Sequence, residues 1–193
     1  METVEGGVAG TEVAANCANT CVGTGATIGQ TDVDGTLADV YLLDSLTIDA
    51  TATLTLTGPR PIILAVRGAV DIQGLVLVAA SASAAGPGGF TSPSDPGPGV
   101  GAPGNFAGYP GSLGGGGSYC GVGGAGGNPS GPGAPGGGPY GNAVLHPLVG
   151  GSAGGDWSSY GDSLGGGGGG ALEIVSGTSI SIGATGAVNA GGG

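Results

Sequence analysis

Lysine is absent from this 193-residue chain, and the only basic side chains besides a single histidine, His146, are Arg60 and Arg67. Against 13 acidic residues this leaves a formal net charge of −11, which makes nucleic acid and anionic membrane poor partners. No continuous apolar run approaches the roughly 18 residues that a membrane-spanning helix needs. Without lysine no phosphate-binding G-x-x-x-x-G-K-[ST] loop exists, and no G-x-G-x-x-G opens a helix after a strand. Three cysteines and one histidine do not complete a zinc set, and Cys17-Ala-Asn-Thr-Cys21 is too widely spaced for a redox C-x-x-C pair. No cofactor or metal is therefore expected. The opening Met1-Glu-Thr-Val-Glu-Gly lacks the basic start and apolar stretch of a signal peptide. A lysine-free chain rich in Gly, Thr and Ser nevertheless has the composition of an exported protein, so the expected location is extracellular or the cell surface.

What the chain has in excess is glycine. Residues 80–170 hold 35 of its 51 glycines and 11 of its 13 prolines. Within this tract glycine recurs at every third position: Gly108, Gly111, Gly114 and Gly117; Gly121, Gly124 and Gly127; Gly133 and Gly136. Three is the period of a polyproline-II-type helix, which makes no internal hydrogen bonds. A glycine edge lets neighbouring backbones approach until N–H of one reaches C=O of the next, and the prolines pre-set φ. The runs are too short and lose phase too often for a collagen triple helix. The reading is a folded-back bundle of polyglycine-II helices turning at 92–95, 105–106, 128–130 and 146–147. Composition alone also fits a flexible linker, but Phe90, Phe106, Tyr109, Tyr119, Tyr140, Trp157 and Tyr160 are unusual in linkers.

The tract interrupts a strand-forming pattern. From Tyr41 apolar and polar residues alternate, with Leu46, Ile48, Leu54 and Leu56 on one face, threonines at 47, 51, 53, 55 and 57 on the other, and a break near Ala50. Three bursts follow at 62–66, 69–72 and 75–78, cornered by Arg67-Gly68 and Gln73-Gly74. The same cadence returns at 172–175, 179–182 and 187–189 with corners at Gly177, Gly183 and Gly186. Short strands with glycine corners suggest a parallel β-helix whose coils stack. The expected class is thus all-β: a short-rung β-solenoid over 41–79, a polyglycine-II insertion over 80–170 and a closing rung over 171–193. Residues 1–40 form an acidic arm or cap in which Cys17 and Cys21 are a candidate disulfide. Thr31-Asp-Val-Asp-Gly-Thr36 has a calcium-loop flavour, but the spacing that would supply a bidentate acid falls on Tyr41, so a solvated turn is expected.

The segment G-x-R-P-x-x-L with its glycine-cornered strands, the long Gly/Pro tract and the final run of six glycines before Ala171 resemble glycine-rich, β-helical exported bacterial surface proteins of uncharacterised role. The likeness covers 58–80 and 165–193. The triplet glycines resemble the polyglycine-II bundles of snow-flea antifreeze proteins and phage tail-tip adhesins. Neither resemblance implies catalytic residues.

The function expected is a non-enzymatic structural protein that self-associates as a homo-oligomer, fibre or surface layer, because ordered glycine costs much backbone entropy and open β-coil ends stack readily. Cys120 is left either as a buried thiol or as an intersubunit cross-link. Three alternatives stand beside this reading. Tyr109, Tyr140, Trp157 and Tyr160 could stack on sugar rings in an adhesin or could simply plug the packing. Thr51, Thr53, Thr55 and Thr57 could form an ice-binding row. Asp49, Asp71 and Glu173, with the two arginines, could serve a polysaccharide-degrading β-helix, given carboxylates about 5–10 Å apart. His146, in Leu145-His-Pro-Leu148, is expected in a turn rather than as a general base.

Overall fold

Alternation from Leu37 onward builds a long strand, β4 (Leu37–Ile48), and after a turn at 50–51 a short one, β5 (Thr53–Leu56). These form the first of three tiers in the computed structural model, which describes residues 2–4, 13–17, 25–29, 37–92, 94–104, 111–128, 131–157 and 164–193. The second tier is β6 (Ile62–Val66), β7 (Val70–Ile72) and β8 (Leu75–Leu77). The third is β9 (Leu172–Ser176), β10 (Ile180–Ile182) and β11 (Ala187–Asn189). Each strand pairs in parallel with its counterpart in the next tier, and no helix occurs among the described residues. The chain is all-β and mostly parallel, as its alternation predicts.

Parallel in-register pairing places like residues above one another. Ile48, Ile72 and Ile182 make one column, Leu46, Val70 and Ile180 a second, and Leu54, Val76 and Val188 a third. Inward residues of the first two tiers form the core, where Ile48, Ile72 and Val76 are fully buried. A buried aliphatic side chain contributes about 1.5–3 kcal/mol relative to exposure, so this short stack concentrates the apolar driving force of a glycine-dominated chain. Its corners need glycine for a steric reason: a Cβ on Gly68 would lie 2.7 Å from the Asp44 carbonyl oxygen of the tier beneath.

The first tier begins at Leu37, before the expected boundary at residue 41, because Ala38 to Tyr41 are buried in succession and so show no alternation to read. The region 1–40 contributes strands to that end of the stack. β1 (Glu2–Val4) pairs parallel with β5, β2 (Val13–Cys17) parallel with β4, and β3 (Gly25–Gly29) antiparallel with β4.

Between β8 and β9 the glycine tract is ordered by lateral main-chain bonds. The N–H groups of residues 150–155 are divided among different neighbours with a period of three. Gly151 and Gly154 donate to Gly169 and Gly166, while Ser152 and Gly155 donate to Ser118 and Gly115. Gly150 and Ala153 donate to Gly88 and Pro96. The same period governs 113–118, where Leu113 and Gly116 donate to Gly127 and Gly124, and Gly115 and Ser118 donate to Ala102 and Gly99. Burial follows it too: Ser112, Gly115 and Ser118 are buried while Leu113 and Gly116 are exposed. Partner numbers fall as donor numbers rise between 150–155 and both 166–169 and 115–118, and between 113–118 and both 124–127 and 99–102, so these neighbours run antiparallel. They rise together from Gly88 to Pro96 along 150–153, so that neighbour runs parallel.

In thread 121–128 the glycines that touch a neighbour are Gly123 and Gly126, against the backbones of Gly116 and Leu113. The triplet Gly121, Gly124 and Gly127 read from the sequence is one residue out of phase: nothing lies within 4 Å of a Cβ on the first two. Runs such as Gly123-Gly124 and Gly126-Gly127 carry both phases, and only the neighbouring threads choose between them. Turns fall where expected at Thr91–Asp95, joined by reciprocal bonds of 2.8 and 2.9 Å, and at 142–147. There Asn142 Oδ1 accepts from the N–H groups of Val144 and His146. The proposed turns at 105–106 and 129–130 lie outside the described residues.

Candidate functional site

Two features stand out from the packed body of the protein: the outer end of the third tier and the groove beside it. Among the described residues β9, β10 and β11 pair with strands on one side only, β6, β7 and β8. Their inward residues continue the core columns but have no next tier above them. Ile180 is 49% exposed, Ile182 55% and Val188 43%, whereas their column mates Val70, Ile72 and Val76 are buried. Glu173 is the only charged residue from Ala171 to Gly193.

The tract is fastened to this end by backbone. Val78 donates to Asn189 (2.8 Å), Ala80 to Gly191 (2.9 Å), and Ala171 to Pro87 (2.7 Å). Along the joint runs a groove of about 540 Å³ lined by Leu172 and Val188 from the third tier and by Tyr119, Val122, Leu145 and Leu148 from the tract. Val122 is 74% exposed. The apolar end of the stack therefore continues onto the tract.

The aromatic residues form a packed cluster. Tyr140 meets Phe90 edge-on at 6.4 Å and Tyr119 edge-on at 5.1 Å, and its hydroxyl donates to the Gly150 carbonyl at 2.5 Å. Edge-to-face pairs at such distances add about 0.5–1.5 kcal/mol beyond area burial. All three of these Tyr140 partners belong to the tract itself. Trp157 is half-buried, with Nε1 fully enclosed and its backbone bridged in parallel to Gly104. Tyr109, Tyr160 and Cys21 lie outside the described residues, as does 31–36. Cys17 falls on β2. Cys120 is exposed and free, so of the two expected states the buried thiol is not the one observed. The chain keeps it out because Cys120 follows the last position of thread 111–118, at the turn into the next.

Burial pushes the Tyr140 phenol above its ordinary pKa, an effect that neighbouring Tyr119 and Cys120 reinforce and a hydrogen bond with Ser152 opposes. Tyr119 is raised chiefly by burial as well. A phenol raised in the folded state contributes stability that is fully present below the unfolded value of 10.0 and is lost as pH rises through the folded one. Thermal stability is therefore expected to stay level up to about pH 10 and to fall beyond it. Tyrosinate absorbance should appear at higher pH in the native than in the unfolded protein; coincident titrations would show these rings to be unshielded.

The acidic residues do not converge. Asp71 stands in the Thr47–Asp71–Ser181 column and accepts from Gln73 at 2.7 Å, whereas Glu173 stands in the Val40–Ile63–Glu173 column and Asp49 at the corner before β5. Arg60 pairs with Asp39 at 3.4 Å and Arg67 with Asp44 at 3.1 Å. No three His, Cys, Asp or Glu side chains cluster closely enough to hold a metal ion among the described residues. Nor is any helix among them long and apolar enough to cross a membrane. In the threonine row, Thr51 and Thr57 are exposed and Thr53 is half-buried, while the Thr55 Oγ1 is enclosed. Comparison with family models, with curated proteins and with solved structures finds no match to this chain.

The sequence pointed to open coil ends in general but not to Ile174, Ile180, Ile182 and Val188. The available signal was the apolar alternation of the last three strands, which implies an inward row on the third tier as on the first two.

Proposed function

We propose that this protein is a non-enzymatic extracellular structural protein that self-associates, into a fibre or surface layer in its extended form. Its tiers are rungs of a short parallel β-solenoid, and its tract is a bundle of polyglycine-II helices inserted between the second and third rungs. The three-residue rotation of N–H direction along 113–118 and 150–155 supports the bundle, since a helix with three residues per turn presents every third N–H to the same neighbour. The near-absence of basic residues and the abundance of Gly, Thr and Ser support an exported location. Exposed Cys120 is available for cross-linking between chains.

One observation carries the assembly reading: the apolar columns of the stack end on the exposed Ile180, Ile182 and Val188 beside one-sided strands. Unpaired parallel edges over an apolar row are templates for another chain. Sedimentation of the purified protein over a wide concentration range should show a rising mean mass, and negative-stain images should show ordered particles larger than one chain. A mass that stays at 17.5 kDa at every concentration would overturn the reading.

A further inference from the structure

Self-association does not by itself say which surfaces meet, and the two ends of the stack are not alike. At the first tier β1 lies along β5, while β2 and β3 lie along β4, so that end already carries strands of the chain's own. At the third tier no strand among the described residues pairs with β9, β10 or β11 on their outer side. A head-to-tail stack would have to seat the open end of one molecule on the covered end of the next. Contact between two open ends needs no such displacement.

Charge favours the same choice. Two molecules of net charge −11 repel, and the acidic residues Glu2, Glu5, Glu12, Asp32, Asp34 and Asp39 all fall in the region that supplies the strands of the covered end. The open end has Glu173 alone, on the outward face of β9 between the inward Leu172 and Ile174. Like charges are thus fewest where the apolar row is exposed, and desolvation there costs least.

We infer that two copies of this chain join third tier to third tier about a two-fold axis, burying Ile174, Ile180, Ile182 and Val188 against their symmetry mates, and that this contact saturates at two chains. The inference rests on the self-association reading and specifies its geometry. A two-fold axis across the stack direction makes the facing edge strands antiparallel, a pairing in which exposed N–H and C=O groups of both chains find partners. The contact is isologous, so each open end satisfies the other and no third chain can add to it. The groove formed by Leu172, Val188, Val122 and Leu145 widens the contact onto the tract. Any longer fibre or layer then uses a different surface to join such pairs.

The test is sedimentation equilibrium of the 193-residue protein under reducing conditions, which removes any cross-link through Cys120. A monomer–dimer step is expected as the first association event, with any larger species built from dimers rather than from odd numbers of chains. Ile182→Glu and Val188→Glu, on different strands, should each raise the dimer dissociation constant at least about tenfold, because an unpaired charge would be buried at the contact. Val175→Glu, on the outward face of β9, should leave it within about twofold. Hydrogen exchange of the unmodified protein supplies a readout independent of any variant: 180–182 and 187–189 should gain protection as concentration rises, and 2–4 should not. Growth in which 180–182 and 187–189 gain no protection, or concentration-dependent protection at 2–4, would overturn the two-fold contact while leaving self-association intact. A monomer at all concentrations would overturn both.

Discussion

Gly137→Ala is expected to destabilise the protein by about 3 kcal/mol, whereas Gly124→Ala, in the adjoining thread, is expected to be neutral or slightly stabilising. Gly137 is buried, and a Cβ placed on it would coincide with the Gly99 carbonyl oxygen and lie 2.9 Å from that of Val100. Both obstacles are backbone, so no side chain can swing aside. Its N–H donates to Gly116 at 3.0 Å and its carbonyl accepts from Gly123 at 2.9 Å, so retreat from the clash would stretch two lateral bonds. Overpacking costs about 1–3 kcal/mol and each lost hydrogen bond about 0.5–1.5 kcal/mol. At this chain length the sum corresponds to a fall of roughly 6–12 °C in melting temperature. Gly124 has open space around its Cβ position, and alanine there removes freedom chiefly from the unfolded chain, a gain of about 0.4–1 kcal/mol. Calorimetric melting of the two variants checks the contrast. Equal melting temperatures would mean that the threads are not held at the spacing described.

A second pair of variants reads the columns of the stack. Ile72→Ala should cost about 2–5 kcal/mol, the range for deleting a buried branched side chain and leaving its cavity. Ile182→Ala, one tier further along the same column, should cost less than about 1 kcal/mol at concentrations where the chain is monomeric. The chemistry is identical and the register aligned, but Ile72 is fully buried and Ile182 is 55% exposed. Denaturant unfolding with an unchanged slope would give both values. Similar costs at the two positions would mean that the third tier is covered in solution by something other than a second chain.

Much of the strand architecture was legible because parallel stacking repeats one local rule. The bursts at 62–66, 69–72 and 75–78 and the corners at Gly68 and Gly74 follow from apolar alternation broken by a residue without a side chain. That rule needs no knowledge of distant partners. It fails where burial comes from both sides, as at Ala38 to Tyr41, and where pairing departs from the parallel pattern, as for β3 on β4. The glycine threads were legible in period but not in phase. Consecutive glycines at 123–124 and 126–127 look the same from within the thread, and the choice is made by carbonyls of residues 113–116. The candidate surface was the least legible part. Ile182 and Ile72 have the same identity and the same strand surroundings, and only the count of tiers shows which of them ends the column.

The placement of the tract also orders events during folding. Ile62 stands beside Leu172, and Val70 beside Ile180, so the last tier returns to a site vacated some hundred residues earlier in synthesis. A chain made from its N-terminus completes two tiers and must then leave them waiting, with the edges of β6, β7 and β8 open to water. Closing so large a loop is costly mainly in time, because long-range contacts are rewarded only after the intervening segment has found its shape. The glycine threads therefore act as a latch on the finished stack, and the interval before they set is when a half-made molecule is most prone to stick to the wrong neighbour.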